Sequence, residues 1–320
     1  MTAPIVLLVN PVAGRGRAIR VARAALDALG ATGVRVELRE TRERGDEARI
    51  ARDASASGAR ALAVVGGDGA VSHAARGLLD GEARGGARVP LAIFAAGTGN
   101  DFVKSLQLPV HDVHAMARHT VAGVTRDVDV GYVDDVPFVN AAGFGFDVEV
   151  LRRMGTPGLL RGTAAYVGTA LGALLRYRGF HARVTSATRH NTTHATAHHL
   201  MIVLANGRYF GGAFHIAPDA RLDDGAIDCI SIRDVSPLAR LSLFAQAIRG
   251  RHLASPMVQS RRDRSFHLHF ETPPPFEADG ELQMASTRDV IVRVAPSALR
   301  IISATSREIT AATAVPAVRT

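Results

Sequence analysis

The segment ALAVVGGDGA, residues 61–70, determines the architecture that we expect for this chain. An apolar run of strand length ends in two glycines, an aspartate and a third glycine, and residues 71–79 are compatible with a helix. Glycines at a strand-to-helix turn let backbone N–H groups approach phosphate oxygens, and the N-terminus of a helix favours negative charge. An aspartate in the turn can hold a metal ion or accept a proton. The alternative is an ordinary glycine-rich turn.

Further strands and helices alternate on both sides of this turn. Strands are predicted at residues 5–9, 34–38, 61–65 and 91–95, and helices at residues 18–29, 46–57 and 71–79. Alternation at this spacing indicates a parallel sheet that helices cover on both faces. We therefore expect a doubly wound α/β nucleotide-binding domain over residues 1–128.

Polar loops follow the four predicted strands of this domain. They are residues 10–16, the loop at Thr41, residues 66–69 and residues 97–102. Because ligands bind beyond the carboxyl ends of the strands in such sheets, we expect the four loops to meet at one edge. Their convergence favours a site for a nucleotide or another phosphate compound.

The sequence pattern changes after Arg126. Short alternating strands are predicted at residues 127–131, 137–140, 184–187, 200–205, 226–232, 266–270 and 290–303. This pattern indicates an antiparallel β domain, which we place at residues 129–295. Two predicted helices, residues 162–177 and 237–249, interrupt the strands.

The composition restricts the class of protein. A hydrophobic content of 47% indicates a globular chain, and the single cysteine, Cys229, excludes an internal disulfide framework and suits a reducing compartment. The net charge of +8 is compatible with an anionic membrane surface. Lys104 is the only lysine among 38 basic residues, which indicates coding bias as much as selection for phosphate contacts. We therefore predict no nucleic-acid partner.

The apolar segments are too short for a membrane span. The longest, residues 162–175, falls short of the ~20 residues that a spanning helix needs, and the N-terminus lacks the basic region of a signal peptide. We expect a cytoplasmic protein, at most peripheral to the inner face of the membrane. Core packing is the expected role of residues 166–175, and an acyl-chain pocket or membrane contact is the alternative.

Four motifs occur in order along the chain: NP with Gly14 (residues 10–14), GGDG (66–69), GTGNDF followed by LP (97–102 and 108–109), and DGE (279–281). The set resembles the diacylglycerol kinase catalytic family, specifically the soluble bacterial lipid kinases related to sphingosine and ceramide kinases. The resemblance covers residues 5–302. It implies an α/β nucleotide domain and a C-terminal β-sandwich, with a last strand in residues 296–320 that returns to the first domain.

The resemblance also implies an ATP- and magnesium-dependent kinase whose acceptor is a lipid at a membrane surface. Glu281 matches the family's catalytic acidic residue, and Asp68 matches the essential aspartate of the glycine loop. Either carboxylate can be the base, and Glu281 is the preferred one. The implied nucleotide-binding residues are Asn10, Pro11, Val12, Ala13, Gly14, Thr41, Gly66, Gly67, Gly69, Ala70, Val71, Ser72, His73, Gly97, Thr98, Arg152 and Arg161.

Each of these assignments has a plainer alternative. Asp279-Gly280 suits a simple hairpin turn with Glu281 at its exposed flank, and Arg152, Arg153 and Arg161 suit a solvated surface. Asp147 is a weaker candidate for contact with the lipid headgroup.

The resemblance further implies a magnesium-binding turn at residues 218–226. Its ligands are the Asp224 carboxylate and the backbone carbonyls of Arg221 and Ala226, with Asp129 linked to the network. The alternative is a structural turn, because Asp-Asp-Gly favours turns.

The chain departs from the family beyond its glycine loop. The family commonly has threonine, and then Asn-Glu two residues further on, where this chain has Ala70, Ser72 and His73. The lost hydroxyl and carboxylate leave open a catalytically silent lipid- or nucleotide-binding regulator. An NAD kinase shares the GGDG turn and is the nearest enzymatic alternative, but the GTGNDF and DGE motifs favour a lipid kinase.

The thirteen histidines do not form a metal-binding motif such as HExxH. We therefore expect histidines on the surface. They include His111, His114, His119, His194, His198 and His199.

Overall fold

The computed structural model describes residues 3–43, 45–109, 112–154, 172–187 and 195–303, without the side chains of Arg15 and Met154. Arg161, His111, His194 and most of the predicted helix at residues 162–177 lie outside the described residues. The chain divides into two compact units. The first takes the chain as far as Val128 and again from Ser297, and the second is Asp129–Pro296.

A parallel sheet forms the centre of the first unit. Its strands are β1 (Ile5–Val9), β2 (Val36–Glu40), β3 (Ala61–Gly66) and β4 (Leu91–Ala95), in the order β4-β3-β1-β2. Leu7 of β1 pairs with Leu38 on one side and with Ala63 on the other. Every residue of β1 and β3 is buried, as the continuous apolar sequence of these strands predicts for a sheet covered on both faces.

Among its described residues, this unit has the α-helices α1 (Arg17–Gly30), α2 (Asp46–Ala56), α3 (Asp68–Ala83), α4 (Asp101–Leu106) and α5 (Val113–Ala122). Helix α1 buries a stripe at helical spacing that includes Ala18, Ala25 and Leu29. Helix α5 packs against α1. Asp112 caps its N-terminus with a carboxylate that accepts the Ala115 N–H at 2.9 Å, and Gly123 caps its C-terminus in the left-handed conformation.

Helices α2 and α3 pack directly on each other. A Cβ on Gly77 would overlap the carbonyl oxygen of Ala48, and a Cβ on Gly81 would lie 2.6 Å from the Cβ of Ser55. Only glycine allows two helix backbones to approach so closely at these positions. The spacing of four residues between Gly77 and Gly81 places both on the face of α3 that meets α2.

The last strand, β15 (Asp289–Ile302), ends in the first unit. Ile301 pairs in parallel with Leu91 of β4, and the Ser303 N–H donates to the Val124 carbonyl at 2.8 Å. The Arg300 guanidinium contacts the Asp127 carboxylate at 2.9 Å and lowers its pKa. The predicted return of the last strand to the first domain is therefore confirmed.

Antiparallel strands form the second unit. They are β5 (Thr125–Val133), which begins in the first unit, β6 (Val136–Phe138), β7 (Ala141–Gly145), β8 (Phe180–Ser186), β9 (Ala197–Ala205), β10 (Ile227–Arg233), β11 (Val258–Asp263), β12 (Ser265–Phe270), β13 (Pro275–Ala278) and β14 (Glu281–Met284). Their order is β14-β13-β7-β9-β8-β12-β15, with β10 between β9 and β11.

Two hydrophobic layers stabilise this unit. One joins strands through residues such as Phe144, whose ring lies 5.2 Å from that of Phe270 and 5.6 Å from that of Phe276. The other packs β9 and β10 against α6 (Phe146–Met154) and a helix at Pro237–Ile248. The predicted antiparallel β-sandwich is confirmed.

Several local predictions were inaccurate, and strands β11, β13 and β14 were not predicted. Strand β2 begins at Val36 instead of residue 34, and α3 begins inside the glycine turn at Asp68 instead of residue 71. Strand β7 was not predicted, because Ala-Ala-Gly-Phe-Gly lacks the β-branched residues that mark strands.

The prediction of surface histidines was wrong for His119 and His199, which are both buried. His199 Nδ1 lies 2.9 Å from the Ser231 hydroxyl, and Nε2 lies 3.3 Å from the Ala182 carbonyl oxygen. Burial lowers the pKa of His199 to about 4, so the ring is neutral at physiological pH. It is a hydrogen-bonded core histidine, which sequence spacing does not distinguish from an exposed one.

Among the described residues, no helix combines the length and the apolar character needed to cross a bilayer.

Candidate active site

The loops after β1, β3 and β4 enclose a cavity of about 350 Å³ in the first unit. Its lining residues are Asn10, Ala13, Gly14, Gly67, Asp68, Gly69, Ala70, Gly97, Thr98 and Gly99. Nine of these ten were predicted from the sequence, and the structure brings them together at the carboxyl ends of the strands. The volume lies in the range of roughly 300–1,000 Å³ that is usual for small-molecule sites.

Main chain forms much of the cavity wall. A Cβ on Gly97 would lie 2.5 Å from the Cα of Gly67, so the loops after β3 and β4 touch backbone to backbone. The Gly97 N–H donates to the Gly66 carbonyl at 3.2 Å, and the absence of side chains at this contact allows phosphate oxygens to approach the main chain closely.

The first loop is tied to the loop after β4 by two contacts. Gly14 has a φ of +60°, and a Cβ there would overlap the carbonyl oxygen of Ala96. The Arg17 guanidinium donates to the same oxygen from Nε at 3.1 Å and from Nη2 at 2.9 Å, and also to the Gly97 carbonyl. Arg17 was not predicted, because it looks like any exposed helix arginine in the sequence.

Asp68 is the carboxylate of the cavity. It is the first residue of α3, and its Oδ1 accepts the Phe102 N–H at 3.4 Å. Burial and then the charge of Asp101 raise its pKa, while backbone N–H groups of residues 100–102 oppose this shift. A carboxylate in such surroundings can accept a proton or bind a cation.

Asn100 and Asp101 shape the same loop, although the sequence assigned them no role beyond their motif. Asn100 has a φ of +54°, and its side-chain amide donates to the Gly97 carbonyl at 3.1 Å. Asp101 begins α4 and pairs with Lys104 at 3.0 Å. Both residues therefore stabilise the turn that carries Gly97.

The remaining predicted residues of this unit do not line the cavity. The Val71 and Ser72 side chains are buried, and the Val12 side chain is exposed. The Thr41 N–H donates to the Val9 carbonyl at 2.9 Å, which places this loop at the end of β1. The lining also lacks Pro11, Gly66 and His73, although each is close in sequence to a residue that lines the cavity.

The DGE motif forms a tight hairpin between β13 and β14 in the second unit. Asp279 and Gly280 both have positive φ, and the Asp279 carboxylate accepts three backbone N–H groups, those of Val139 and Asn140 at 2.9 Å and of Ala141 at 3.2 Å. The motif is thus a hairpin turn, as the plainer alternative predicted. Glu281 follows it as the first residue of β14 and is half-buried rather than fully exposed.

Two further carboxylates, those of Glu277 and Asp147, lie close to this hairpin. Glu277 Oε2 accepts the Gly280 N–H at 2.6 Å. A Cβ on Gly143 would overlap Oδ2 of Asp147 and lie 3.2 Å from Oε1 of Glu277, so both side chains approach one point. Burial raises the pKa of Asp147 to about 7, and the backbone N–H groups of Asp147 and Val148 only partly oppose it.

The predicted magnesium turn already contains a positive side chain. Asp224 Oδ1 accepts the Ala226 N–H at 3.2 Å, and Oδ2 lies 3.5 Å from the Arg262 guanidinium. The Arg221 side chain contacts Asp223, and Asp129 Oδ2 accepts the Gly225 N–H at 2.6 Å. A magnesium ion at this turn would compete with Arg262. The metal role of Arg221, Asp224 and Ala226 stays a prediction.

The predicted phosphate arginines belong to the second unit. Arg152 is exposed on α6, and the neighbouring Arg153 contacts Glu149 at 2.7 Å. Their role toward a nucleotide also stays a prediction.

Two family models match the chain one after the other. The diacylglycerol kinase catalytic domain matches residues 4–133, and the YegS C-terminal NAD kinase beta sandwich-like domain matches residues 140–303, slightly more than half of the chain. The chain belongs to the diacylglycerol kinase family of lipid kinases. It is a kinase, and the resemblance seen in its motifs is confirmed.

Relatives of this lipid kinase match from about two thirds of its length to nearly all of it. A diacylglycerol kinase of Mycobacterium tuberculosis is 29% identical over 303 residues, which are 93% of this chain and 94% of the relative. A YegS-like lipid kinase of Pseudomonas aeruginosa is 33% identical over 207 residues, 64% of this chain and 65% of the relative. A crystal structure of a diacylglycerol kinase from Bacillus anthracis has a TM-score of 0.70 at 20% identity, covers 95% of this chain and 97% of its own, and supports the fold.

The donor groups at the cavity of this lipid kinase fit a nucleotide-bound magnesium ion. Magnesium in kinase sites usually takes one or two carboxylates, and the substrate phosphates and water supply the other oxygens. Asp68 lines the cavity and supplies such a carboxylate. Within the described residues, no cluster of three or more His, Cys, Asp or Glu side chains could hold a metal on its own.

Proposed function

We propose that the chain transfers the γ-phosphoryl group of ATP, in the presence of magnesium, to a hydroxyl group of a lipid. The observation that carries this proposal is the cavity of the first unit, where glycine loops and one carboxylate meet at the ends of parallel strands. The acceptor classes are diacylglycerol-like, phosphatidylglycerol-like and sphingoid lipids, presented at a membrane surface.

The nucleotide is proposed to bind with its phosphates against the main-chain wall. Phosphoryl transfer needs positioned phosphates, neutralised charge and an aimed nucleophile. Gly67, Gly69 and Gly97 supply backbone groups without side chains, and the N-terminus of α3 adds its favourable dipole. Arg17 contributes indirectly, because it fixes the carbonyls behind this wall.

The carboxylates divide the remaining tasks. Glu281 accepts the proton of the acceptor hydroxyl while the hydroxyl oxygen forms a bond to the γ-phosphorus, and the bond to the bridging oxygen breaks to release ADP. Asp68 would hold the magnesium ion or orient the hydroxyl. Bound magnesium would neutralise the phosphate charge that develops during transfer.

The lipid side of the reaction is proposed to involve the second unit. Asp147 has a carboxyl group that is largely protonated below neutral pH, and it is a candidate contact for a polar headgroup. The end of the apolar segment argues for packing rather than for a free acyl surface, since Ala173 and Leu174 are buried in a hydrophobic core. Residues 155–171 lie outside the described residues.

The test is ATP turnover against a panel of lipid acceptors, with NAD as a further acceptor. We expect transfer to at least one lipid. Transfer to NAD alone would reject the proposal in favour of an NAD kinase, and nucleotide binding with no acceptor would favour the silent regulator.

Asp68→Asn and Glu281→Gln should each lower kcat by about 10²-fold or more with the melting temperature unchanged, because each removes one charge at the reaction. Rates of ADP release with the preferred lipid measure this effect. A fully active Glu281→Gln would remove that residue from the catalytic role.

A further inference from the structure

Glu47 is a buried acidic residue next to the cavity, and no motif of the sequence indicates it. It lies in the first turn of α2 and is 5% exposed. A buried carboxylate costs free energy unless hydrogen bonds or opposite charges compensate it. The groups that contact the Glu47 carboxylate therefore indicate the role of this residue.

One carboxylate oxygen of Glu47 holds a residue of the cavity wall. Oε1 accepts the side-chain amide of Asn10 at 2.9 Å, and the Asn10 oxygen accepts the Val12 N–H at 3.2 Å. Because Oε1 accepts this hydrogen bond, the nitrogen of the Asn10 amide faces Glu47. Both ends of the amide are then fixed. The nitrogen carries a second N–H that can donate to a ligand, and Asn10 lines the cavity.

The other carboxylate oxygen lies beside His73 of α3. Glu47 Oε2 and His73 Nδ1 are 3.9 Å apart, which is too long for a hydrogen bond and short enough for electrostatic attraction to a protonated ring. His73 precedes Gly77 by one helical turn, and Gly77 is the point where the backbones of α2 and α3 touch. The close packing of the two helices therefore brings Glu47 to His73.

This arrangement bears on the departure from the family at His73. The resemblance to the diacylglycerol kinase family implies a glutamate at that position, and its loss suggested a weakened nucleotide site. In this chain a carboxylate still lies against the position, but α2 contributes it.

We propose that Glu47 is a positioning residue for the nucleotide site: its acceptor oxygens lie between Asn10 and His73, and it fixes the Asn10 amide at the cavity wall. The inference rests on the proposed function, because it assumes that the cavity binds a nucleotide.

The test measures binding of a fluorescent ADP analogue, with magnesium chloride, to the full chain. Glu47→Ala should raise the Kd about tenfold, because Asn10 loses its acceptor and can rotate. Asp53→Ala is the matched control, since it removes a carboxylate from the same helix where the side chain is 67% exposed, and it should leave the Kd unchanged.

A double variant separates positioning from mere stability. Glu47→Ala combined with His73→Glu moves the carboxylate to α3 and should return the Kd to within about threefold of the original. Should Glu47→Ala fail to fold, Glu47→Gln retains the acceptor oxygen and shape. It should bind within about threefold of the original protein.

The outcomes distinguish the two proposals. If the unaltered chain does not bind the analogue, the proposed function itself fails. If it binds and the folded Glu47→Ala binds equally well, only the inference is overturned. A loss of affinity that the double variant does not recover would show that Glu47 acts through the stability of α2, and would also overturn it.

Discussion

Asp147 lies in surroundings unlike those of an ordinary carboxylate. The residue is 8% exposed, and neither carboxylate oxygen has a well-formed hydrogen bond to any described residue. Glu277, a second carboxylate, lies near it. The protonated form is favoured because a buried negative charge without compensation is costly.

The contribution of Asp147 to the free energy of unfolding should therefore fall as the pH rises. The folded-state pKa is about 7 and the ordinary value is 3.8, so between these values the folded chain holds a proton that the unfolded chain releases. The stability that this bound proton contributes is fully present below about pH 4 and is lost as the pH rises through about 7. Asp147→Asn, which remains neutral, should remove that part of the pH dependence.

Melting temperatures of both proteins from pH 4.5 to 8.5 test this expectation. At pH 8.5 the variant should melt a few degrees above the original protein, since about 2–4 °C corresponds to 1 kcal/mol in a domain of this size. At pH 4.5 the two should be close. Parallel curves over the whole range would contradict it.

Single residues were predictable from the sequence when a motif contained them. Asp68 follows a strand and lies between glycines, and the structure places it in the cavity. Glu47 had no such signal, because an acid in the first turn of a helix usually faces water and favours the helix dipole. Its burial depends on the contact between α2 and α3 at Gly77, which no local pattern encodes.

At the scale of elements, the contact between the loops after β3 and β4 gives a direct prediction. Gly97→Ala adds a Cβ that would lie 2.5 Å from the Cα of Gly67 and 2.7 Å from Oδ1 of Asn100. One or both loops must move, which we expect to cost about 1–3 kcal/mol and to weaken nucleotide binding. Thermal melting with and without ADP measures both effects.

Gly69→Ala is the matched control for this substitution. Gly69 also lines the cavity, but a Cβ there would have no atom within 4 Å. Its position in the first turn of α3 should make alanine neutral or slightly stabilising in the absence of a ligand. Equal melting temperatures for the two variants would argue against a tight contact between Gly67 and Gly97.

Elements with a strong periodic pattern were predicted within one or two residues. Strands β1 and β4 agree at both ends, and α1 differs by one residue at each end. Errors arose where long-range contacts overrode local preference. Strand β7 consists mostly of small residues and exists because β9 and β13 pair with it on either side.

At the scale of the whole molecule, strand β15 contributes buried residues to the hydrophobic core of each unit. In the first unit Ile301 of β15 is fully buried, whereas Ile291 of the same strand is 52% exposed. Ile301→Ala should lower the stability of the first unit by about 2–5 kcal/mol, and Ile291→Ala should change it by less than about 0.5 kcal/mol. Urea unfolding compares the two. Similar losses from both variants would contradict the assigned burial.

The overall architecture was predictable because each unit has its own pattern of strands and helices in the sequence. Alternating strands and helices up to Val128 indicated the α/β unit, and short alternating strands after it indicated the β unit. The order of four motifs then identified the family. The return of the last strand to the first unit came from that resemblance. Its pairing with β4 was not predicted, since nothing local in residues 289–302 indicates a partner strand.

The position of β15 has a consequence for how the protein is made. Ribosomes synthesise the N-terminal segment first, yet β4 is paired on one side by β3 and on the other by a strand that ends at Ile302. The nascent first unit therefore has an open sheet edge beside β4 until the residues up to Ile302 have been translated. We expect chaperone dependence to concentrate in that interval, when an incomplete sheet can pair with the wrong strand.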